Sequence, residues 1–381
     1  MIAPTPFFAD RGCHTQIYEE IRSLQKLGHE IVLCTYGLGR DMPGVRTVRT
    51  FNFPWYRKLA AGPSVHKILL LPFLTATTLR TIARWKPDVV HAHLHEGALI
   101  ASFCRIFFPK KKYLFDMQGS LTGECVQHGF VREGSAAFRF LAFLERRIAR
   151  GFFVITQSDS MMKELASFGV PSSRTANVHD GVDTDIFKPQ PPDKELVVRF
   201  GAGPSLPRVL YMGLFAQYQG TDLLFEAFGV VAKKKPEARF FVIGYPDAAK
   251  YRSLCEKMGI GRQVFFLGRV DYAELPRHLS IASIAVAPKI AATEGDGKIY
   301  NYMAMGLPTV TFDRSVSREI LGDTGIYAKL GDPGDLAEKI VWAIDHPAEA
   351  AELGRKSRER AVAELSWDAV GRRIHEVYQK L

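Results

Sequence analysis

Short apolar runs alternate with helically patterned stretches from one end of this 381-residue chain to the other. That alternation allows few folds, because it is the pattern of parallel sheets whose strands are joined by crossover helices. In the first half, residues 30–36, 45–51, 88–93, 113–117, 152–156 and 175–179 read as strands. Between them, Ile17, Ile21, Leu24 and Leu27 recur at helical spacing, and Gly28 stands where a helix ends. Residues 1–3 read as the last part of a first strand. The second half repeats the scheme, with strands at 209–212, 240–243, 264–267, 284–287 and 309–312. Helices are expected near 221–234, 247–258, 298–305, 335–346 and 349–364. A chain of this length exceeds one ordinary core, so two α/β domains are expected. Five prolines and two glycines crowd residues 188–207, which places a linker at 190–207. The domains are then 1–189, joined by a last helix at 366–381, and 208–365.

Composition narrows the class. Apolar residues make up 47% and charged residues 24%, a globular balance. No run reaches the roughly 18 apolar residues of a membrane helix, and Pro4, Pro6 and Asp10 are unlike a secretory leader. Cys13, Cys34, Cys104, Cys125 and Cys255 are scattered, with no C-x-x-C pair, so neither disulfides nor a zinc site is indicated. A cytoplasmic protein is expected. The net charge of +10 asks for anionic partners such as phosphates or an anionic membrane surface. No nucleic-acid motif is present, and none is expected as a partner.

The segment 287–306, APKIAATEGDGKIYNYMAMG, carries the most chemistry. It leads from a buried strand through a glycine loop into a helix, an arrangement that offers backbone N–H groups to an anion. Gly295 and Gly297 allow close backbone approach. Lys298 adds a charge suited to phosphate, and Asn301 lies three residues on, along the same helix face.

This segment resembles the nucleotide-sugar loop of the retaining family-four glycosyltransferases, which have the GT-B fold. The likeness extends over nearly the whole chain. It includes Leu27-Gly-His-Glu-Ile, Asp88-Val-Val-His-Ala-His, His179-Asp-Gly-Val-Asp, Tyr211-Met-Gly-Leu, Gly268-Arg-Val and Ser366-Trp-Asp. The resemblance implies two Rossmann-like domains facing a cleft and a metal-independent hexosyl transfer in glycan or lipid-linked saccharide synthesis. The donor would be a UDP- or GDP-linked sugar, with no further cofactor. The acceptor would be a glycan or a lipid-linked precursor. A non-catalytic binding protein on the same fold is the alternative.

By the same resemblance, Glu294 faces the donor sugar and Asn301 the nucleotide ribose, where the family has a second glutamate. The family's diphosphate-binding Arg and Lys are replaced here by Leu214 and Gln219, so Lys298, and then Lys289, is expected to supply the missing charge. Glu294 and Lys298 are therefore the expected catalytic residues, with Gly12, Gly213, Gln219, Gly295, Gly297 and Asn301 on the donor. His95 and Gln118 are expected on the acceptor side. His91, His93 and His95 alternate as strand residues would, but no cysteine or E-x-x-H partner lies near in sequence, so no metal is expected. Residues 53–59 and 68–73 mix aromatic, apolar and basic side chains; the resemblance implies a peripheral contact with the inner face of a membrane there, with plain packing of the following helix as the alternative.

Overall fold

The computed structural model describes residues 1–9, 12–54, 56, 65–127, 129–201, 203, 205–291 and 295–381. The chain forms two compact units, Met1–Asp180 with Trp367–Leu381, and Gly181–Ser366. Each is built around one parallel sheet with crossover helices. Among the described residues, no helix is long and apolar enough to cross a membrane, and all five cysteines are free thiols.

The first unit holds β1 (Ile2–Ala3), β2 (Val32–Thr35), β3 (Arg46–Arg49), β4 (Val89–His93), β5 (Lys112–Met117), β6 (Phe153–Thr156) and β7 (Thr175–Asn177). Their order across the sheet is β3-β2-β1-β4-β5-β6-β7. The two-residue β1 is central nonetheless, pairing Ile2 with Cys34 of β2 and with Ala92 of β4. The helix Gly12–Lys26 buries Ile17, Ile21 and Leu24. It ends at Gly28, whose φ of 87° lets His29 N–H reach back to the Leu24 carbonyl at 3.1 Å. The final helix, Trp367–Lys380, lies along it. A Cβ on Gly371 would come within 2.8 Å of Ser23, so only glycine permits this approach.

The second unit holds β8 (Arg208–Met212), β9 (Arg239–Ile243), β10 (Val264–Gly268), β11 (Ile284–Ala287), β12 (Thr309–Phe312) and β13 (Ile326–Ala328), in the order β10-β9-β8-β11-β12-β13. Phe225, Phe228 and Phe240 are fully enclosed in its core, each burial contributing about 1.5–3 kcal/mol. Residues 190–207, expected to be a linker, instead lie inside this unit. Part of the stretch is the helix Lys194–Arg199, capped by Asp193, which accepts from Leu196 N–H at 2.9 Å. The strand β13 and the helix Ser315–Leu321 were not anticipated; both are short.

Candidate functional site

In the second unit the chain builds outward from β8 through β9 and β10, then restarts at β11 on the other side of β8. The loops after β8 and β11 therefore diverge at neighbouring strand ends, the place where open parallel sheets bind ligands. Here the two loops are laced together. Ile290 N–H donates to the Tyr218 carbonyl at 3.0 Å. Gly220, at φ 69°, passes so near the Pro288 carbonyl that a Cβ would overlap it.

Lys298 stands in the first turn of the helix Gly297–Ala304 and is buried. Its Nζ donates to Asp296 Oδ1 at 2.6 Å and to Gln219 Oε1 at 2.7 Å. Its stem passes Gly213, where a Cβ would come within 3.0 Å of the lysine Cε. Asp296 occupies the N-cap position without capping the helix, so the first N–H groups gain no partner from it. Gly295 and Gly297 are exposed, and a Cβ on Gly297 would point into open space. Lys289 donates to the Gly295 carbonyl at 2.7 Å. Asn301 is half-buried one turn beyond Lys298. Glu294 lies outside the described residues.

Several basic side chains act on this site. Burial pushes the Asp296 carboxyl up, but Lys298, Lys289 and Arg314 together hold it below its ordinary value. Burial depresses the Lys298 ammonium, and Lys289 and Arg314 lower it further, against the pull of Asp296. Lys289, Lys298 and Arg314 are thus all buried and all act on the buried carboxylate of Asp296, whose second oxygen, Oδ2, has no hydrogen-bond partner among the described residues.

In the first unit the same reversal of strand order falls between β1 and β4. Gly12 opens the helix that follows β1. His14, two residues on, is engaged at both ring nitrogens: Ala9 N–H donates to Nδ1 at 2.9 Å, and Nε2 meets the Thr5 hydroxyl. His95 opens the helix Leu94–Phe107 as its second residue and is buried, with Nε2 3.4 Å from Glu145 Oε1. Glu145 also accepts from Leu121 N–H at 2.7 Å and from the Thr122 hydroxyl at 3.0 Å. Gln118 is half-buried and donates to Asp116 Oδ2 at 2.7 Å.

Sequence reasoning missed what surrounds His91 and His93. Both project from one face of β4, with rings stacked at 4.4 Å. His93 Nδ1 lies 2.9 Å from Asp116 Oδ2, and its Nε2 lies 3.9 Å from Glu20 Oε2. His91 Nδ1 lies 2.8 Å from the Tyr378 hydroxyl on the final helix. Burial, then Asp116 and Asp180, drive the Glu20 carboxyl well above its usual range. Burial and Asp116 push Asp180 up to about 7. The H-x-H spacing was the only signal in the sequence, since Glu20 and Asp116 arrive from distant segments.

Comparisons with known proteins agree with the fold. Residues 206–346 match the family described as glycosyl transferases group 1, and residues 11–181 match the glycosyl transferase 4-like domain. The sulfoquinovosyl transferase of Arabidopsis thaliana is 23% identical over 98% of this chain and 71% of its own length. A GDP-mannose-dependent phosphatidylinositol monomannoside mannosyltransferase of Corynebacterium glutamicum is 26% identical over 52% of this chain and 54% of its own length. Among solved structures, sucrose-phosphate synthase of Thermosynechococcus elongatus superposes with a TM-score of 0.79 at 19% identity, covering 99% of this chain and 95% of that one. Anabaena HepE, solved in complex with UDP, superposes equally well at 16% identity, over 100% of this chain and 99% of that one.

Proposed function

Because the chain belongs to the group 1 glycosyl transferases, we propose that its second unit binds the diphosphate of a UDP- or GDP-linked hexose through Lys298. The sugar then passes, with retained anomeric configuration, to a hydroxyl of a glycan or lipid-linked acceptor. The observation that carries this reading is the contact between Lys298 Nζ and Gln219 Oε1 at 2.7 Å. By the resemblance, position 219 is where the family places a diphosphate-binding lysine. Here the cation reaches that place from the helix Gly297–Ala304 instead. Lys289 and Arg314, the other basic groups acting on Lys298, support the same ligand, because a diphosphate is attracted to a cluster of basic side chains.

As the glycosidic bond to the donor breaks, negative charge grows on the leaving phosphate. A fixed ammonium beside it lowers the barrier without reorganising. The exposed Gly297 backbone and the uncapped helix start add N–H donors at the same end. Asp296 holds Lys298 in position while no phosphate is bound, and the incoming diphosphate competes with it for the ammonium. Glu294 is proposed for the donor sugar, Asn301 for the ribose and Gln118 for the acceptor side.

A lipid-linked acceptor is favoured by the first unit's surface. The helices Val65–Trp85, Leu94–Phe107 and Ala136–Ala149 pack side by side and expose Phe73, Phe103, Ile106, Phe107, Phe140 and Phe143. Arg139, Arg146 and Arg147 stand on the third of these helices beside Phe140 and Phe143, a combination suited to an anionic bilayer. A relative named for a phosphatidylinositol monomannoside points the same way.

The test is release of nucleoside diphosphate from a panel of UDP- and GDP-sugars, with product stereochemistry read from the anomeric proton by NMR. Release with at least one donor and a retained anomer is expected. An inverted product removes the retaining assignment. Binding without any turnover would replace transfer with sugar-nucleotide capture.

A further inference from the structure

The helix Gly297–Ala304 sends two buried side chains to the loop that follows β8: Lys298 and, one turn on, Tyr302. We propose that Tyr302 is a positioning residue, whose hydroxyl seats this helix against the end of β8 and so sets where the Lys298 ammonium meets a diphosphate. The inference rests on the reading of Lys298 given above and deepens it.

The backbone shows where the seat lies. β8 pairs with β11 as far as Tyr211 opposite Val286, and with β9 as far as Met212 opposite Ile243. Successive N–H groups along a parallel strand face opposite neighbours. Gly213 N–H turns toward β9 and donates to the Ile243 carbonyl at 2.9 Å. Met212 N–H therefore faces the β11 side, one position beyond the last pair there. Backbone donors away from water need an acceptor, and the Tyr302 hydroxyl supplies one at 2.8 Å. A side chain of the helix thus takes the place of the next strand residue.

The same loop then runs along Lys298. Gly213 passes between the Tyr211 hydroxyl and the lysine stem, so closely that a Cβ would come within 2.7 Å of the one and 3.0 Å of the other. The Tyr211 hydroxyl donates to the Leu214 carbonyl at 3.0 Å, and Gln219 accepts from Lys298 Nζ further on. Residues four apart are neighbours on a helix face, so Tyr302 grips the start of the loop and Lys298 its far end from one face. A slip of the helix along β8 would carry both contacts with it. The Tyr302 ring is fully enclosed in a core that includes Leu210, Ile243 and Ile299, which makes it a fixed base for the flexible lysine stem. Such support matters because a charged group displaced by about an ångström loses much of its effect on a reacting centre.

Titration calorimetry of the whole chain with UDP, GDP, uridine and guanosine tests the proposal. Tyr302→Phe keeps the ring and its packing. It should weaken the tighter-binding diphosphate about fivefold, the scale of one hydrogen bond, and leave its nucleoside unchanged. Added to Lys298→Ala it should have no further effect, because the coupling passes through the lysine. Tyr327→Phe, which removes the hydroxyl that donates to the Gly322 carbonyl beside β13, should bind as the wild type does. Hydrogen exchange at Met212 in the unaltered chain gives a second readout: the diphosphate should slow it, and the nucleoside should not. An unaltered diphosphate affinity in Tyr302→Phe, an equal loss with and without Lys298, or exchange at Met212 indifferent to the diphosphate overturns the proposal. If the wild type itself binds diphosphate no better than nucleoside, the Lys298 reading falls and this inference with it. If the wild type prefers the diphosphate and Tyr302→Phe does too, to the same degree, this inference falls alone.

Discussion

Both units part their loops where strand order reverses, at β1 and β4 in the first and at β8 and β11 in the second, yet the buried titratable groups there differ in kind. In the second unit, Lys289, Lys298 and Arg314 all act on the buried carboxylate of Asp296. In the first, Glu20 and Asp116 flank His93, while burial drives the Glu20 carboxyl well above and His91 well below their ordinary values. A shared topology therefore sets where titratable groups collect but leaves their kind to a few side chains. The basic cluster is the one proposed to meet a diphosphate.

The strongest way to break this contrast is to remove the charge on which the cationic site depends. Lys298→Ala is expected to slow nucleoside diphosphate release by about 100-fold, the scale set by loss of one fixed group facing a developing anion. Steady-state assays with the best donor would show it. An unchanged rate would assign the leaving group to another cation. Asp296→Asn sharpens the contrast because its effect has the opposite sign. It removes the anion that competes for Lys298, so nucleoside diphosphate should bind roughly fivefold more tightly, about 1 kcal/mol. Weaker binding in titration calorimetry would show that Asp296 positions the lysine rather than competing for it.

Much of this architecture was legible in the chain. The apolar runs at 209–212, 240–243 and 284–287 became β8, β9 and β11, because buried parallel strands leave continuous hydrophobic segments. The strand β13 was missed because its three residues, Ile326–Ala328, are too short to show a period. At the sites, Lys298 stood out through its glycine loop, but its contact with Gln219 joins residues 79 positions apart. The ring of Glu20, His93 and Asp116 has the same character, since His93 and Asp116 are 23 positions apart. Local pattern can suggest a charge, whereas only the folded chain shows what balances it. The proline-rich stretch misled for a related reason: composition signalled a break, yet Leu196 found a buried place in the second unit.

Two smaller effects probe the first unit. Tyr378→Phe removes the hydroxyl beside His91 Nδ1, at a cost of about 1–2 kcal/mol. The melting temperature should fall by a few degrees. No shift would show that the final helix is held by packing alone. Acid should also weaken this unit through Glu145. Burial raises its carboxyl pKa, but His95, Leu121 N–H and Thr122 lower it more, to below the ordinary 4.5. A depressed folded value means that the stabilisation is complete above the unfolded value and is lost as pH falls through the folded one. Urea midpoints measured from about pH 6 down to about pH 3 should therefore fall more steeply for the wild type than for Glu145→Gln. Parallel curves would contradict this role.

The central claim, that Lys298 holds a diphosphate in the second unit, is tested most directly by a ladder of ligands. Calorimetric titration of the wild type and Lys298→Ala with a nucleoside, its monophosphate and its diphosphate separates base contacts from phosphate contacts. For the wild type, affinity should climb with each phosphate. For Lys298→Ala the diphosphate should weaken by roughly 10- to 150-fold, the equivalent of about 1.5–3 kcal/mol, while the nucleoside binds unchanged. Equal losses for nucleoside and diphosphate, or a wild-type ladder with no rise, would contradict the account.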